Sequence, residues 1–244
     1  MPPAPGDAAF GKTAFADFAS LGNSRKGSGG NPGMQKKLTE EQQKALLENA
    51  ISEFGERGLA AATVSSIAER SGISVGVIYK YYENKEALFE ACLDASVSLL
   101  GDVLRSSVTK ENSLEESVRG LIRASQNLAR EHPSYFRMYH AITMHPDAKG
   151  ASGYAERIER ISAEIYTELI SKAESEGIVR KDASSSMFAF FFDNLLMMLH
   201  FSYSCDYYRH RMEIYCGESA DEDSFDERLA DEMMKFLKGA FGGK

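Results

Sequence analysis

From Met34 onward the apolar residues recur at helical spacing, and strand-like alternation never lasts beyond a few positions. Thr39 followed by Gln42 has the form of a capping box. Beyond it Leu47, Ala50, Ile51 and Phe54 give the i, i+3, i+4, i+7 stripe of an amphipathic helix, with Gly58 placed to end it. Thr63 opens a short second helix, VSSIAERS, which Gly72 closes. Ser74 starts a third, VGVIYKYY, and a fourth opens at Asn84 with KEALFEACLDASVSLLGDVL. Further helices are predicted over about 113–131, 133–144, 151–176, 184–212 and 222–241. Pro133 fits a first turn, and EGIVRKDASSS (176–186) breaks the longest pair. Asn-Gly and Asp-Gly hairpin turns do not occur, so the fold class is all-α.

Two short helices joined by a Gly-containing turn describe a helix-turn-helix. With Val64 as the first position, small Ala68 falls fifth, where the helices cross closely. Gly72 falls ninth, where the turn requires tolerance of positive φ. Ile67, Ile73 and Ile78 sit where they can pack beneath the crossing. An ordinary helical corner would not explain Tyr79, Lys80 and Tyr81 on the open face of the second helix.

Residues 54–93, FGERGLAAATVSSIAERSGISVGVIYKYYENKEALFEACL, resemble the DNA-binding domain of the TetR family of bacterial transcriptional regulators. The resemblance rests on the Gly before the second helix, the Thr that opens it, its Ile-Ala pair, Ser-Gly-Ile-Ser at the turn, the aromatic third helix and Asn-Lys-Glu-Ala-Leu. It implies an N-terminal three-helix DNA-binding domain followed by a larger helical domain for effector binding and dimerisation. Such a protein binds a palindromic double-stranded DNA operator as a homodimer joined through its last two helices. It is expected to be a repressor that a small hydrophobic or aromatic effector releases. By the same resemblance Ser74, Val75 and Val77 lead into the major groove, while Tyr79, Lys80 and Tyr81 reach phosphates or flanking bases. Lys85 and Thr63 would each meet a backbone phosphate, Thr63 because free N–H groups and the helix dipole favour an anion there. Tyr82 would pack inward. Val75 stands where the family often carries a polar or basic reader, which shifts specificity toward apolar contact and DNA shape.

Composition adjusts this picture in three places. Residues 1–33 hold seven of the 20 glycines and four of the six prolines and lack an apolar signal-type core, so they read as a disordered leader or tag. The helix-turn-helix domain is then 34–90, and the effector and dimerisation domain 91–244. Over 34–90 seven basic residues face nine acidic ones, so DNA affinity must come from a local patch (Lys36, Lys37, Lys80, Lys85), helix termini and dimerisation. The net charge of −8 belongs to the C-terminal part, notably ESADEDSFDERLADE (218–232), which reads as a solvated face. Three scattered cysteines and the absence of a membrane-length apolar run fit a cytoplasmic protein without membrane attachment.

The C-terminal part is rich in aromatics and methionines. Phe136, Tyr139, His140, Met144, Tyr166, Phe191, Met198 and His200 are the candidate effector-pocket residues, methionine being adaptable to varied apolar shapes. Each also reads as plain core. Gly-x-Ser-x-Gly, Gly-rich phosphate loops and His-Glu-x-x-His do not occur, so no catalytic residue, cofactor or metal is expected. His145 and Asp147 lack an evident third ligand.

Overall fold

The structure is a computed structural model, and it describes residues 37–143, 151–182, 184–219 and 224–243, with only the backbone for 151, 152, 154 and 155. The leader, Lys36, Met144, His145 and Asp147 lie outside the described residues. Among the described residues ten helices follow in order: α1 Glu40–Ala61, α2 Val64–Arg70, α3 Val75–Tyr81, α4 Lys85–Ser107, α5 Leu114–Glu131, α6 Pro133–Thr143, α7 Ala151–Ser175, α8 Ser185–Ser204, α9 Asp206–Cys216 and α10 Phe225–Phe241. The chain divides into two compact units, one ending at Asp102 and one beginning at Val103, so α4 contributes to both.

In the first unit the expected caps form. Thr39 Oγ1 accepts the Gln42 N–H at 3.2 Å and Gln42 Oε1 accepts the Thr39 N–H at 3.0 Å, completing the capping box. Gly58 leaves helical geometry at φ 69°, which ends the regular part of α1, and three further residues continue to Ala61. Leu47, Ala50, Ile51 and Phe54 are fully buried, and Phe54 meets Phe89 of α4 edge-on at 5.1 Å. Ile67, Ala68 and Ile78 are buried at the helix-turn-helix crossing, and Ile73 is half-buried. Gly72 adopts φ 63°, the conformation that the ninth position of the motif requires.

In the second unit α8 packs against α5, α6, α7 and α9, and α10 lies on α5. The α5–α10 contact is laced by ion pairs, Glu115–Lys238, Arg119–Asp231, Arg123–Glu227 and Arg130–Asp226, all at 2.7–2.9 Å. Inside this ladder Gln126 donates to the Tyr203 hydroxyl, which in turn donates to Asp226 at 2.6 Å. The connection after α7 pairs with the chain's last residues: the Arg180 N–H donates to Phe241 O and the Gly243 N–H to Ile178 O. One expected helix is divided. The sequence predicts continuity over 184–212, but Cys205 is extended at φ −128°, ψ 125°, and separates α8 from α9. Arg209 donates to the Tyr203 carbonyl left open by the break, while Ser202 and Ser204 turn back on carbonyls four residues earlier, the arrangement that bends helices.

Candidate functional site

The recognition segment is assembled by contacts between α1 and α2 that no motif announces. Glu53 is fully buried on α1, yet it carries a carboxylate. Its oxygens accept the Thr63 N–H at 3.3 Å and the Ser66 hydroxyl at 2.8 Å, and they pair with Arg57 at 3.3 Å and Arg70 at 3.6 Å. Arg70 also grips Glu56 with both guanidinium nitrogens, at 3.3 and 2.9 Å, and Asn49 donates to the Arg70 carbonyl at 3.3 Å. Glu53 thus satisfies the opening of α2 and complements its dipole, while Asn49 and Glu56 hold its end. An anion does sit at the start of α2, but it is the chain's own carboxylate.

The expected DNA face is then placed residue by residue. Ser74 is exposed at the start of α3 and makes no side-chain cap bond, leaving its hydroxyl at the surface. Val75 and Val77 are half-buried, Lys80 is exposed and Tyr79 is 49% exposed. Ser74, Tyr79 and Lys80 together give α3 a polar and aromatic outer surface. Thr63 is exposed, and its hydroxyl accepts the Ser66 N–H as N-cap. Two residues have internal work. The Tyr81 hydroxyl accepts the Leu38 N–H at 2.7 Å, fixing the segment that precedes α1. Lys85 Nζ donates to the Ala60 and Ala62 carbonyls at 3.3 and 3.1 Å. Tyr82 is half-buried, and burial raises its hydroxyl pKa.

These positions set an expectation for variants. Lys85→Ala should weaken binding to every duplex and reduce the salt slope by about 1 if the ammonium also meets a phosphate. It should in addition lower the melting temperature, because two carbonyls lose their donor. Val77→Ala should instead change preference among sequences at nearly constant salt slope. Anisotropy titrations at several salt concentrations, paired with thermal melts, read both.

In the second unit the expected pocket residues divide. Phe136 of α6 lies against His200 of α8 at 4.4 Å, and His140 meets Phe201 edge-on at 5.5 Å. The Tyr139 hydroxyl donates to Glu159 of α7 at 2.8 Å and lies 3.8 Å from the Met197 sulfur. Tyr166 is buried beside Phe192 at 5.2 Å. These five face the interior, whereas Phe191 and Met198 are 45% and 41% exposed on the outside of the single chain. Sequence reasoning missed the acidic groups among them. Burial, with Glu159 close by, raises the Asp193 carboxyl from 3.8 to about 6, and a Ser162 hydrogen bond opposes the shift. Burial lowers His200 to about 3, keeping it neutral. Groove-lining residues elsewhere in the unit, Arg105, Lys110, Glu164, Glu168 and Lys172, carry mixed charge and share nothing with the expected set.

The raised Asp193 value fixes a pH dependence. Between about pH 4 and 6 the unfolded carboxyl is ionised while the folded one keeps its proton, so stability falls as pH rises through this window and then levels. Asp193→Asn should flatten this decline and melt higher than the parent at pH 7. Melting curves from pH 4 to 8 check it.

A helix-turn-helix with a polar, aromatic outer surface precedes a larger helical unit along the chain. Residues 46–92 match the family model described as bacterial regulatory proteins, tetR family. The helix-turn-helix segment is thus a TetR-type DNA-binding domain. Over 106 residues the chain is 30% identical to the nucleoid occlusion factor SlmA of Haemophilus ducreyi, a match covering 43% of this chain and 52% of that protein. It is 27% identical over 137 residues to the transcriptional repressor KstR2 of Mycobacterium tuberculosis, covering 56% and 68%. The match thus spans only about half the length of the SlmA relatives. The solved KstR2 structure superposes with a TM-score of 0.62 at 19% identity, over 85% of this chain and 98% of that one. AibR, solved with isovaleryl coenzyme A and operator DNA, gives a TM-score of 0.60 at 20% identity, over 80% and 97%. These superpositions show the shared fold.

Proposed function

We propose that this protein is a ligand-responsive repressor that binds a palindromic operator as a homodimer and is released by a small hydrophobic or aromatic effector. The observation that carries the reading is the α3 surface, where Ser74, Tyr79 and Lys80 stand exposed on a helix whose inner side is anchored by Ile78. Tyr207, Phe190 and Phe236 are among the most exposed large side chains. Met187, Phe190, Phe191, Asn194 and Met198 form an exposed stripe at i, i+3, i+4, i+7, i+11 along α8, and α10 exposes Phe236. A dimer joined through α8 and α10 covers that stripe. It also sets two recognition helices at a fixed spacing, about 34–36 Å for successive major grooves. The 34–90 segment acts as the DNA-binding domain and 91–244 as the sensing and dimerisation domain, α4 being the helix continuous between them. An effector acts only through its difference in affinity between the DNA-bound and released states. Work on DNA places the protein in the cytoplasm, and among the described residues no helix is long and apolar enough to cross a membrane. Selecting fragments from genomic DNA with the purified protein, followed by footprinting, tests the reading. An inverted repeat with two protected half-sites supports it, and a single unpaired half-site contradicts it.

A further inference from the structure

We infer that Tyr81 is a positioning residue for DNA binding: its hydroxyl pins the chain at Leu38 beside the end of α3 and so presents Lys37 to a backbone phosphate next to the recognition helix. The inference rests on the DNA-binding role proposed for the helix-turn-helix and adds a contact to it.

Leu38 is held in three ways. Its N–H donates to the Tyr81 hydroxyl at 2.7 Å, across 43 positions of sequence, and its carbonyl accepts from the Gln43 side-chain amide at 3.1 Å. Its side chain is buried. Capping does not account for the bond from α3, because Leu38 lies outside α1 and the cap is complete with Thr39 and Gln42. The Tyr81 bond therefore fixes the approach to α1 rather than α1 itself.

That anchor decides where a charge sits. Lys37 is exposed, and backbone bond lengths put its Cα within about 6 Å of the Tyr81 hydroxyl oxygen. Tyr81 is the last residue of α3 and exposed Lys80 the one before it, so the backbone of Lys37 is drawn to the same end of the recognition helix as Lys80. Glu40 and Glu41 in the first turn of α1 already answer its dipole, so attraction of a phosphate to this corner falls to Lys37. Holding its backbone before DNA arrives removes part of the ordering cost of the contact. Tyr81 itself is half-buried, with its hydroxyl oxygen engaged inside the domain.

Tyr81→Phe removes a hydroxyl and no charge, which makes salt dependence the deciding readout. A neutral tyrosine that touched a phosphate directly would release no counterion, so its loss would weaken binding without changing the slope of log affinity against log salt. Anisotropy titrations use the full-length protein and a duplex that the parent selects from genomic DNA, at several salt concentrations from about 50 to 200 mM. Lys37→Ala should lower the slope by about 1 and weaken binding about three- to tenfold at about 0.1 M salt. Tyr81→Phe should do the same, and the double variant should behave as either single one. Tyr81→Phe keeps the ring and Lys37 is exposed, so both variants should melt within a few degrees of the parent. A parental slope in Tyr81→Phe, or losses that add in the double variant, overturns the inference while DNA binding stands. A parent that binds no duplex at the lowest salt removes the inference and the DNA-binding role together.

Discussion

Glu53→Ala should cost about 2–4 kcal/mol of stability and abolish specific DNA binding, although Glu53 never reaches the surface. The side chain is the acceptor around which α2 is docked on α1. Without it the Thr63 N–H and the Ser66 hydroxyl lose their partner in a partly buried setting, and Arg57 and Arg70 lose a shared carboxylate. The arginines can recover water, since their side chains are 54% and 35% exposed, so the loss falls mainly on the helix start. Misplacing α2 misplaces α3, because α3 packs on α2 and Ile67 and Ile78 are both buried. Glu53→Gln separates geometry from charge. Its amide oxygen still accepts the Thr63 N–H, and it should retain weakened, sequence-specific binding. Denaturant melts and operator titrations on both variants decide the matter, and an alanine variant as stable as the parent would remove Glu53 from the account.

Phe190→Glu should raise the dimer dissociation constant by about a hundredfold or more, since it places a carboxylate in the centre of the exposed apolar stripe of α8. Phe190 is 58% exposed in the single chain and contacts Phe191 at 6.1 Å, so the variant should fold normally. Sedimentation of the parent at micromolar concentration should give twice 26.9 kDa, and the variant should give the single mass. With one recognition helix per particle, affinity for a two-half-site operator should fall by at least about a hundredfold. A variant that remains dimeric would place the interface elsewhere.

The parts of this molecule that were legible in its sequence are those governed by local rules. Thr39 with Gln42, Thr63, Gly72 and the Leu47–Phe54 stripe each report a cap, a turn or a buried face within a few residues, and the structure places them so. The capping box of Ser113 and Glu116, which the sequence reading did not single out, obeys the same local rule and opens α5. What depends on distant partners was hidden. Glu53 sits beside Phe54 and looks like any acid flanking a stripe, and only the return of Thr63, Ser66 and Arg70 makes it a buried anchor. Lys85 has the composition of a phosphate ligand, yet the carbonyls that occupy it belong to the end of α1, 23 and 25 residues earlier. The break at Cys205 has neither proline nor glycine to mark it. Phe191 and Met198 illustrate the limit of composition: on a helix that is apolar almost all round, the residues that face the interior and those that face outward are separated by packing alone.

Sequence-specific DNA binding is read by comparing the selected operator with a scrambled duplex of equal length, titrated from about 50 to 200 mM salt. The operator should bind at least about a thousandfold more tightly than the scrambled duplex, with both affinities falling as salt rises. Equal affinity for the two duplexes, or no binding to either at the lowest salt, would contradict sequence-specific binding.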